Sequence, residues 1–305
     1  MISLSNGHRL DYVVASGSLA FDGRGWAWER PLVRAGLIRP DLFTVVLKTL
    51  TRDPRVGNLR WTDPWSCVLP VRGGTVNKVG LTNPGFDWWL RDVGPTLDYR
   101  RVAMVASLFG DDAELADMAR ALNRFDLAGI ELNPSCPNTG HALLTTDVVV
   151  RGVAAVRAVS RHPLIVKVSA AQDYRAICRG LVGIAEAVAI NSVPWEQVFP
   201  HQRSPLWRLE QRVGGGGGGV SGRPAQALNW RAVAEIASDA SLPVIAPSIM
   251  AFDDMAAVRR LGARAVSFGA IHLLTPWKPT AIVRRDLLHR QPVRDKAETD
   301  ARAAA

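Results

Sequence analysis

The sequence predicts an α/β protein: a single (β/α)8 barrel with a small β-hairpin excursion over its C-terminal mouth. Three observations carry this reading. Eight short, nearly continuous apolar runs recur along the chain, as strands of a parallel sheet covered on both faces do. Helical signals fill the stretches between them. Eight such alternations fit into about 280 residues, the length of one barrel rather than of two domains.

The runs are Tyr12-Val13-Val14-Ala15, Thr44-Val45-Val46-Leu47, Val102-Ala103-Met104-Val105-Ala106 and Gly129-Ile130-Glu131-Leu132, then Leu164-Ile165-Val166-Lys167-Val168, Ala187-Val188-Ala189-Ile190, Pro243-Val244-Ile245-Ala246 and Ala265-Val266-Ser267-Phe268. Between the third and fourth, Asp111 and Glu114 form a capping-box start. Leu115, Met118, Ala119 and Leu122 then repeat at helical spacing. Val149, Val153 and Val156 mark a second helix, and Met255 and Val258 a third, which stops at Gly262. Two stretches break the rhythm. Arg52 to Pro84 is rich in turn formers and reads as the hairpin excursion. Gly214 to Gly219 is six consecutive glycines, read as a flexible or phosphate-approaching loop. Residues 295–305 read as a disordered tail, leaving 1–294 as the barrel domain.

Composition narrows the function. No apolar run reaches the eighteen or so residues of a membrane helix, and the N-terminus carries no signal core, so a cytoplasmic protein is expected. Three cysteines (Cys67, Cys136, Cys178) are too few and too scattered for a disulfide framework or a CxxC metal pair. The net charge is +9, but the arginines are spread without a block of like charges, so nucleic acid is not expected as a partner. An anionic small substrate accounts for the sign equally well.

Chemistry in such barrels sits at the C-terminal strand ends. Strand 1 runs into Ala15-Ser16-Gly17, small residues that let a flat ligand approach the backbone. Strand 2 ends in Lys48-Thr49 and strand 6 in Asn191-Ser192. Strand 4 ends in Asn133-Pro134-Ser135-Cys136-Pro137-Asn138, where two prolines stiffen the loop around a thiol. Strand 5 carries Lys167 inside an apolar run, where a cation is costly without an anionic or electron-rich partner. One thiol, two lysines and several amides suit a neutral-to-anionic planar ligand. No His/Asp/Glu set stands at metal-ligand spacing, so no metal is expected.

These residues also carry a family resemblance. Glu131-Leu132-Asn133-Pro134-Ser135-Cys136-Pro137-Asn138 resembles the ELNLSCPN signature of the dihydroorotate dehydrogenases. The run from Leu47 to Asn58 is similar to the family's K[ST]xTxxPRxGN stretch, and Asn77 to Gly85 to its NxxGLxNPG loop. Lys167 and Asn191 fall where the family keeps a lysine and an asparagine. The resemblance runs in order from Leu10 to Leu288. It implies a barrel binding FMN that oxidises dihydroorotate to orotate in pyrimidine (UMP) biosynthesis. Cys136 would be the base removing the C5 proton, while the C6 hydride goes to the flavin. The cysteine, where membrane-quinone relatives usually carry serine, points to the soluble class 1. A thiol with pKa near ~8.5 needs little depression to serve near neutral pH.

By the same resemblance, Asn77, Asn133, Asn138 and Asn191 would bind the pyrimidine edge. Lys48, the backbone of Val79, Gly80 and Leu81, and Ser192 would hold the substrate by the flavin. Lys167 would stabilise the reduced flavin, and the rest of the FMN site would be Ala15, Ser16, Gly17, Lys48, Thr49, Gly219, Ser221, Gly222, Ser248, Gly269 and Ala270. A homodimer is implied. Use of NAD would need an iron–sulfur partner subunit, since no cluster of cysteines exists here. The departures concentrate at the phosphate end: Pro247-Ser248-Ile249 replaces Gly-Gly-Ile and Gly269-Ala270 replaces Gly-Thr, so FMN is expected to bind, more weakly. Two rival readings are a flavin reductase resembling the tRNA-dihydrouridine synthases, and a paralogue that binds flavin or pyrimidine without turnover.

Overall fold

The computed structural model describes residues 1–60, 62–135, 144–239 and 242–303, with side chains described up to residue 290. Cys136 and Asn138 therefore lie outside the described residues. Eight parallel strands close into a barrel: β1 (Tyr12–Val14), β2 (Thr44–Val46), β3 (Ala103–Leu108), β4 (Gly129–Leu132), β5 (Leu164–Val168), β6 (Ala187–Ile190), β7 (Val244–Ala246) and β8 (Ala265–Phe268). Each falls on a predicted apolar run, and each pairs with its sequence neighbours, β8 closing on β1.

The strands look uniformly apolar, yet their side chains alternate between two cores. Val14, Val45, Met104, Ile130, Val166, Val188, Val244 and Val266 point outward into the cluster beneath the helices. Val13, Val46, Val105, Ile165, Ala189 and Ile245 fill the lumen. An N-terminal hairpin (Ile2–Ser3 with Arg9–Leu10) adds Ile2, Leu4 and Leu10 to that lumen cluster and stoppers the barrel's lower end. Two residues further along the inward row of β3, β4 and β5 stand Ser107, Glu131 and Lys167. The lumen thus turns from apolar to polar at its upper end.

The helices follow from local chemistry. In α1 (Asp112–Leu122) the Asp111 carboxylate accepts the Glu114 N–H, and Glu114 accepts that of Asp111 in return. In α2 (Thr146–Arg157) Val149, Val153 and Val156 are buried. In α3 (Gln226–Asp239) the buried face is Asn229, Ala232, Val233 and Ile236. The end of α4 (Phe252–Arg260) is closed by Gly262 at φ +97°, with Ala263 N–H bonded to Val258 O and Gly262 N–H to Arg259 O. Lastly, α5 (Lys278–Ala303) continues through 295–303, the stretch read from sequence as a tail.

The excursion is larger than a hairpin. Val68–Val71 and Gly74–Asn77 pair as expected, but Gly219–Gly222 and Val193–Pro194 extend them into a four-stranded antiparallel sheet. The glycine run that leads into it is anchored. Buried Lys78 donates through Nζ to the carbonyls of Gly215 and Gly216, and Glu196 accepts the Gly217 N–H. Gly218, at φ +102°, runs so close to Asn77 that a Cβ would lie 2.8 Å from its carbonyl oxygen. Gly217 and Gly218 serve close packing, whereas a Cβ on Gly214 would meet nothing within 4 Å. Within the run, two carbonyls meet the Lys78 ammonium and one N–H meets the Glu196 carboxylate, so protein side chains anchor it at both kinds of backbone group.

Candidate active site

A cavity of about 640 Å³ opens at the C-terminal ends of the barrel strands. It gathers Ala15, Ser16, Gly17, Lys48, Thr49, Asn77, Val79, Gly80, Leu81, Asn133, Lys167, Asn191, Ser192, Ser221, Gly222, Ser248, Gly269 and Ala270 from the sequence-predicted site. Gly219 is not in its lining: it is paired with Asn77 inside the four-stranded sheet, its carbonyl accepting from Asn77 Nδ2 at 3.3 Å. A second cavity of about 680 Å³ lies against α1 and α2 and holds neither strand-end lysine.

Strand alternation brings the polar groups onto one ring. Lys167 Nζ donates to Glu131 Oε1 at 2.9 Å, both side chains being almost wholly buried. Ser107 Oγ donates to the same oxygen at 3.1 Å and lies 2.9 Å from Thr49 Oγ1. Thr49 in turn meets Ser16 Oγ at 3.1 Å and accepts from Asn133 Nδ2 at 3.3 Å. One hydrogen-bonded chain therefore crosses the ends of β1 to β5. Asn191, after β6, donates to the carbonyl and hydroxyl of Ser135, each at 3.1 Å, while Ser135 Oγ donates to Asn133 Oδ1. The two asparagines are thereby tied together through Ser135, which directly precedes Cys136 in the sequence.

Buried charge dictates part of this. A lone lysine in the lumen would cost several kcal/mol, and a carboxylate on the adjacent strand offsets that only with good geometry and further hydrogen bonds. Ser107 supplies one. Glu131 lies inside the strand-4 motif, and the motif alone assigns it no role. The available signal was its own burial-prone setting: a glutamate in an apolar strand, two residues before Asn133 and so on the same face.

The rim is aromatic. Trp26 and Trp28 stack with ring centroids 5.6 Å apart, and Trp26 Nε1 donates to Gly17 O at 3.0 Å. With Trp65, Leu59 and Pro64 they form an apolar entrance that composition alone did not reveal. Beneath it, Glu29 is buried and accepts the Trp26 N–H at 2.9 Å; burial pushes its carboxyl up to about 7. Asn229 of α3 also lines the cavity and was missed, although it sits at the i position of the buried i, i+3, i+4, i+7 face of its helix.

The two described cysteines are no candidates for a base. Cys67 and Cys178 are buried away from the lining, and burial pushes their thiols up to about 11 and about 12. Among the described residues no cluster of three metal-ligating side chains occurs, and no helix is long and apolar enough to cross a membrane.

Comparison with known proteins agrees with this geometry. Residues 35–288 match the dihydroorotate dehydrogenase family. A protein of Desulforudis audaxviator named dihydroorotate dehydrogenase B (NAD(+)), catalytic subunit, is 31% identical over 297 residues, covering 93% of this chain and 90% of its own. A protein of Solibacter usitatus, provisionally named dihydroorotate dehydrogenase A (fumarate), is 33% identical over 246 residues, covering 78% and 77%. The B-type catalytic subunit of Geobacillus kaustophilus is 28% identical over 252 residues, covering 79% and 77%. With its closed eight-stranded barrel and its ring of strand-end polar groups, the chain belongs to the dihydroorotate dehydrogenase family of oxidoreductases, which act on CH–CH bonds.

Proposed function

We propose that the chain oxidises (S)-dihydroorotate to orotate, with FMN as resident cofactor and Cys136 as the base. The observation that carries this is the continuous polar ring from Ser16 through Thr49, Ser107 and Glu131 to Lys167, at the head of a cavity that combines further amides and hydroxyls with apolar walls. A flat heterocycle with imide edges and a carboxylate needs amides and cations at one level of such a wall, and Asn77, Asn133, Asn191, Lys48 and Lys167 supply them.

The residues present fit a flavin. Ala15, Ser16, Gly17, Gly222 and Gly269 put nearly bare backbone in the wall. The buried Asn229 Oδ1 lacks a partner, as an atom waiting for a polar ligand would. The residues that would hold FMN are these together with Lys48, Thr49, Lys167, Ser221, Ser248 and Ala270. When bound, the cofactor supplies a hydride acceptor. The protein's own part is the rest. The Cys136 thiolate takes the C5 proton while the C6–H bonding pair leaves as hydride, and a C5=C6 double bond forms. Lys167, fixed by Glu131, is the buried positive charge that compensates negative charge gained nearby. Asn133 and Asn191, fixed through Ser135, orient the ring. Trp26, Trp28 and Trp65 narrow the entrance to water. With three cysteines in the whole chain, electrons bound for NAD would leave through an iron–sulfur partner subunit, in keeping with the catalytic-subunit names of two relatives.

Anaerobic mixing of the flavin-loaded protein with dihydroorotate tests the reading. Wild type should bleach rapidly, and Cys136→Ala at least ~100-fold more slowly, the size of a lost general base. Equal rates would remove Cys136 from the mechanism. Failure of both to bleach would exclude dihydroorotate as the substrate.

A further inference from the structure

Three features meet at the end of the cavity formed by the loops after β7 and β8 and by α3. First, Ser248 lines the cavity in the left-handed region at φ +65°, a conformation that costs a non-glycine residue and persists only where its surroundings enforce it. Two side chains of α3 enforce it: Gln226 Nε2 donates to Ser248 O at 3.0 Å, and Asn229 Nδ2 lies 3.2 Å from Ser248 Oγ. Gln226 is fixed in turn by Asp254, whose carboxylate accepts the N–H groups of Met250 and Ala251. Second, among the described residues no acceptor pairs with the N–H of Ser248 or of Ile249, so two adjacent backbone donors of this turn are unpaired beside the cavity that Ser248 lines. Third, Asn229 is 1% exposed and one of its carboxamide atoms, Oδ1, has no partner.

A carboxamide has nearly the same shape in its two orientations, and a serine hydroxyl can donate as well as accept. Turned over, the Asn229 amide accepts from Ser248 Oγ–H and brings its two N–H donors to the unpaired position. That position then calls for an acceptor supplied by a ligand. The surrounding lining residues Ser221, Gly222, Pro247, Ser248, Gly269 and Ala270 carry no charge, so neutral donors alone must recognise it. Pro247 has also removed one backbone N–H from this turn.

We propose that Asn229 is a phosphate-binding residue of the cofactor site, its carboxamide donating to a phosphomonoester oxygen in place of the lost backbone donor. Asn229 thereby makes the site select FMN over unphosphorylated riboflavin. This rests on the flavin reading above and extends it to a side chain from α3. An asparagine with a purely structural role would have both amide atoms satisfied within the protein.

The test is a titration of the flavin-stripped full chain with FMN and with riboflavin, followed by quenching of flavin fluorescence. Wild type should bind FMN more tightly than riboflavin. Asn229→Asp keeps the shape but replaces two donors with a negative charge, and should weaken FMN by ~10-fold or more while leaving riboflavin within ~3-fold. Asn229→Ser, which keeps a small polar group, should lose less of the preference and serves equally if the aspartate variant does not fold. An unchanged FMN-to-riboflavin ratio in the variants, or equal weakening of both flavins, would overturn the proposal while leaving the flavin reading intact. Failure of wild type to bind either flavin would overturn both. Displacement of FMN, but not of riboflavin, by inorganic phosphate would place the effect at the phosphate and not at the ring.

Discussion

At the scale of single residues the Glu131–Lys167 pair governs the site. Its members are buried at 2.9 Å, and the carboxylate has Ser107 as a further donor. Removing one partner leaves the other charge without compensation in the lumen, which costs more than the pair itself contributes. Glu131→Gln is therefore expected to lower the unfolding free energy by about 3 kcal/mol in urea denaturation, and Glu131→Gln with Lys167→Met to recover most of that loss. A double variant as unstable as the single one would mean that Glu131 acts through packing and not through charge. The same pair shows where sequence reading stops. The lysine was legible because a cation inside an apolar run is conspicuous. Its partner was not, because a salt bridge between adjacent strands depends on register: Glu131 pairs with Ile165, and only the pleat brings its carboxylate beside Lys167. Asn229 was hidden for a related reason, since helical spacing marks a buried face but not what that face meets.

At the scale of elements, the eight strands were readable because burial on both faces demands continuous apolar runs. α1 and α4 were readable because caps leave local signals. The four-stranded sheet over the mouth was half readable. Its Gly74–Asn77 hairpin is local, whereas the strands at 193–194 and 219–222 arrive from over a hundred residues away. The rim segment from Gly17 to Glu29 was read only at its first residue, and it carries its own pH dependence. Glu29 holds Trp26 in place while its carboxyl, pushed up to about 7 by burial, is protonated more readily folded than unfolded. Stability from this group is full below the unfolded value near 4.5 and is lost as pH rises through about 7. Glu29→Gln keeps an acceptor for the Trp26 N–H and removes the titration. Its stability relative to wild type should grow by about 3 kcal/mol between pH 5 and pH 8. Parallel stability–pH curves for the two proteins would contradict this assignment.

At the scale of the molecule the barrel is divided along its axis. The lower lumen is apolar and stoppered by Ile2, Leu4 and Leu10, while the upper lumen carries Ser107, Glu131 and Lys167 and opens into the cavity. The N-terminal hairpin is tied on by Ser5, whose N–H and hydroxyl both donate to Glu186 just before β6. This division predicts that damage below is felt as stability and damage above as chemistry, as is general for such barrels. Leu10 is wholly buried, so Leu10→Ala should cost about 3 kcal/mol through lost burial and a residual cavity. At a temperature where the variant remains folded, its rate of flavin reduction by dihydroorotate should stay within ~2-fold of wild type, because no polar contact of the ring reaches the lower layer. Urea denaturation and anaerobic flavin reduction on the same preparation read the two quantities side by side. A large fall in rate with the fold intact would show that the lower lumen positions Lys167 through Ile165 and Ala189, and that the two halves of the barrel act as one.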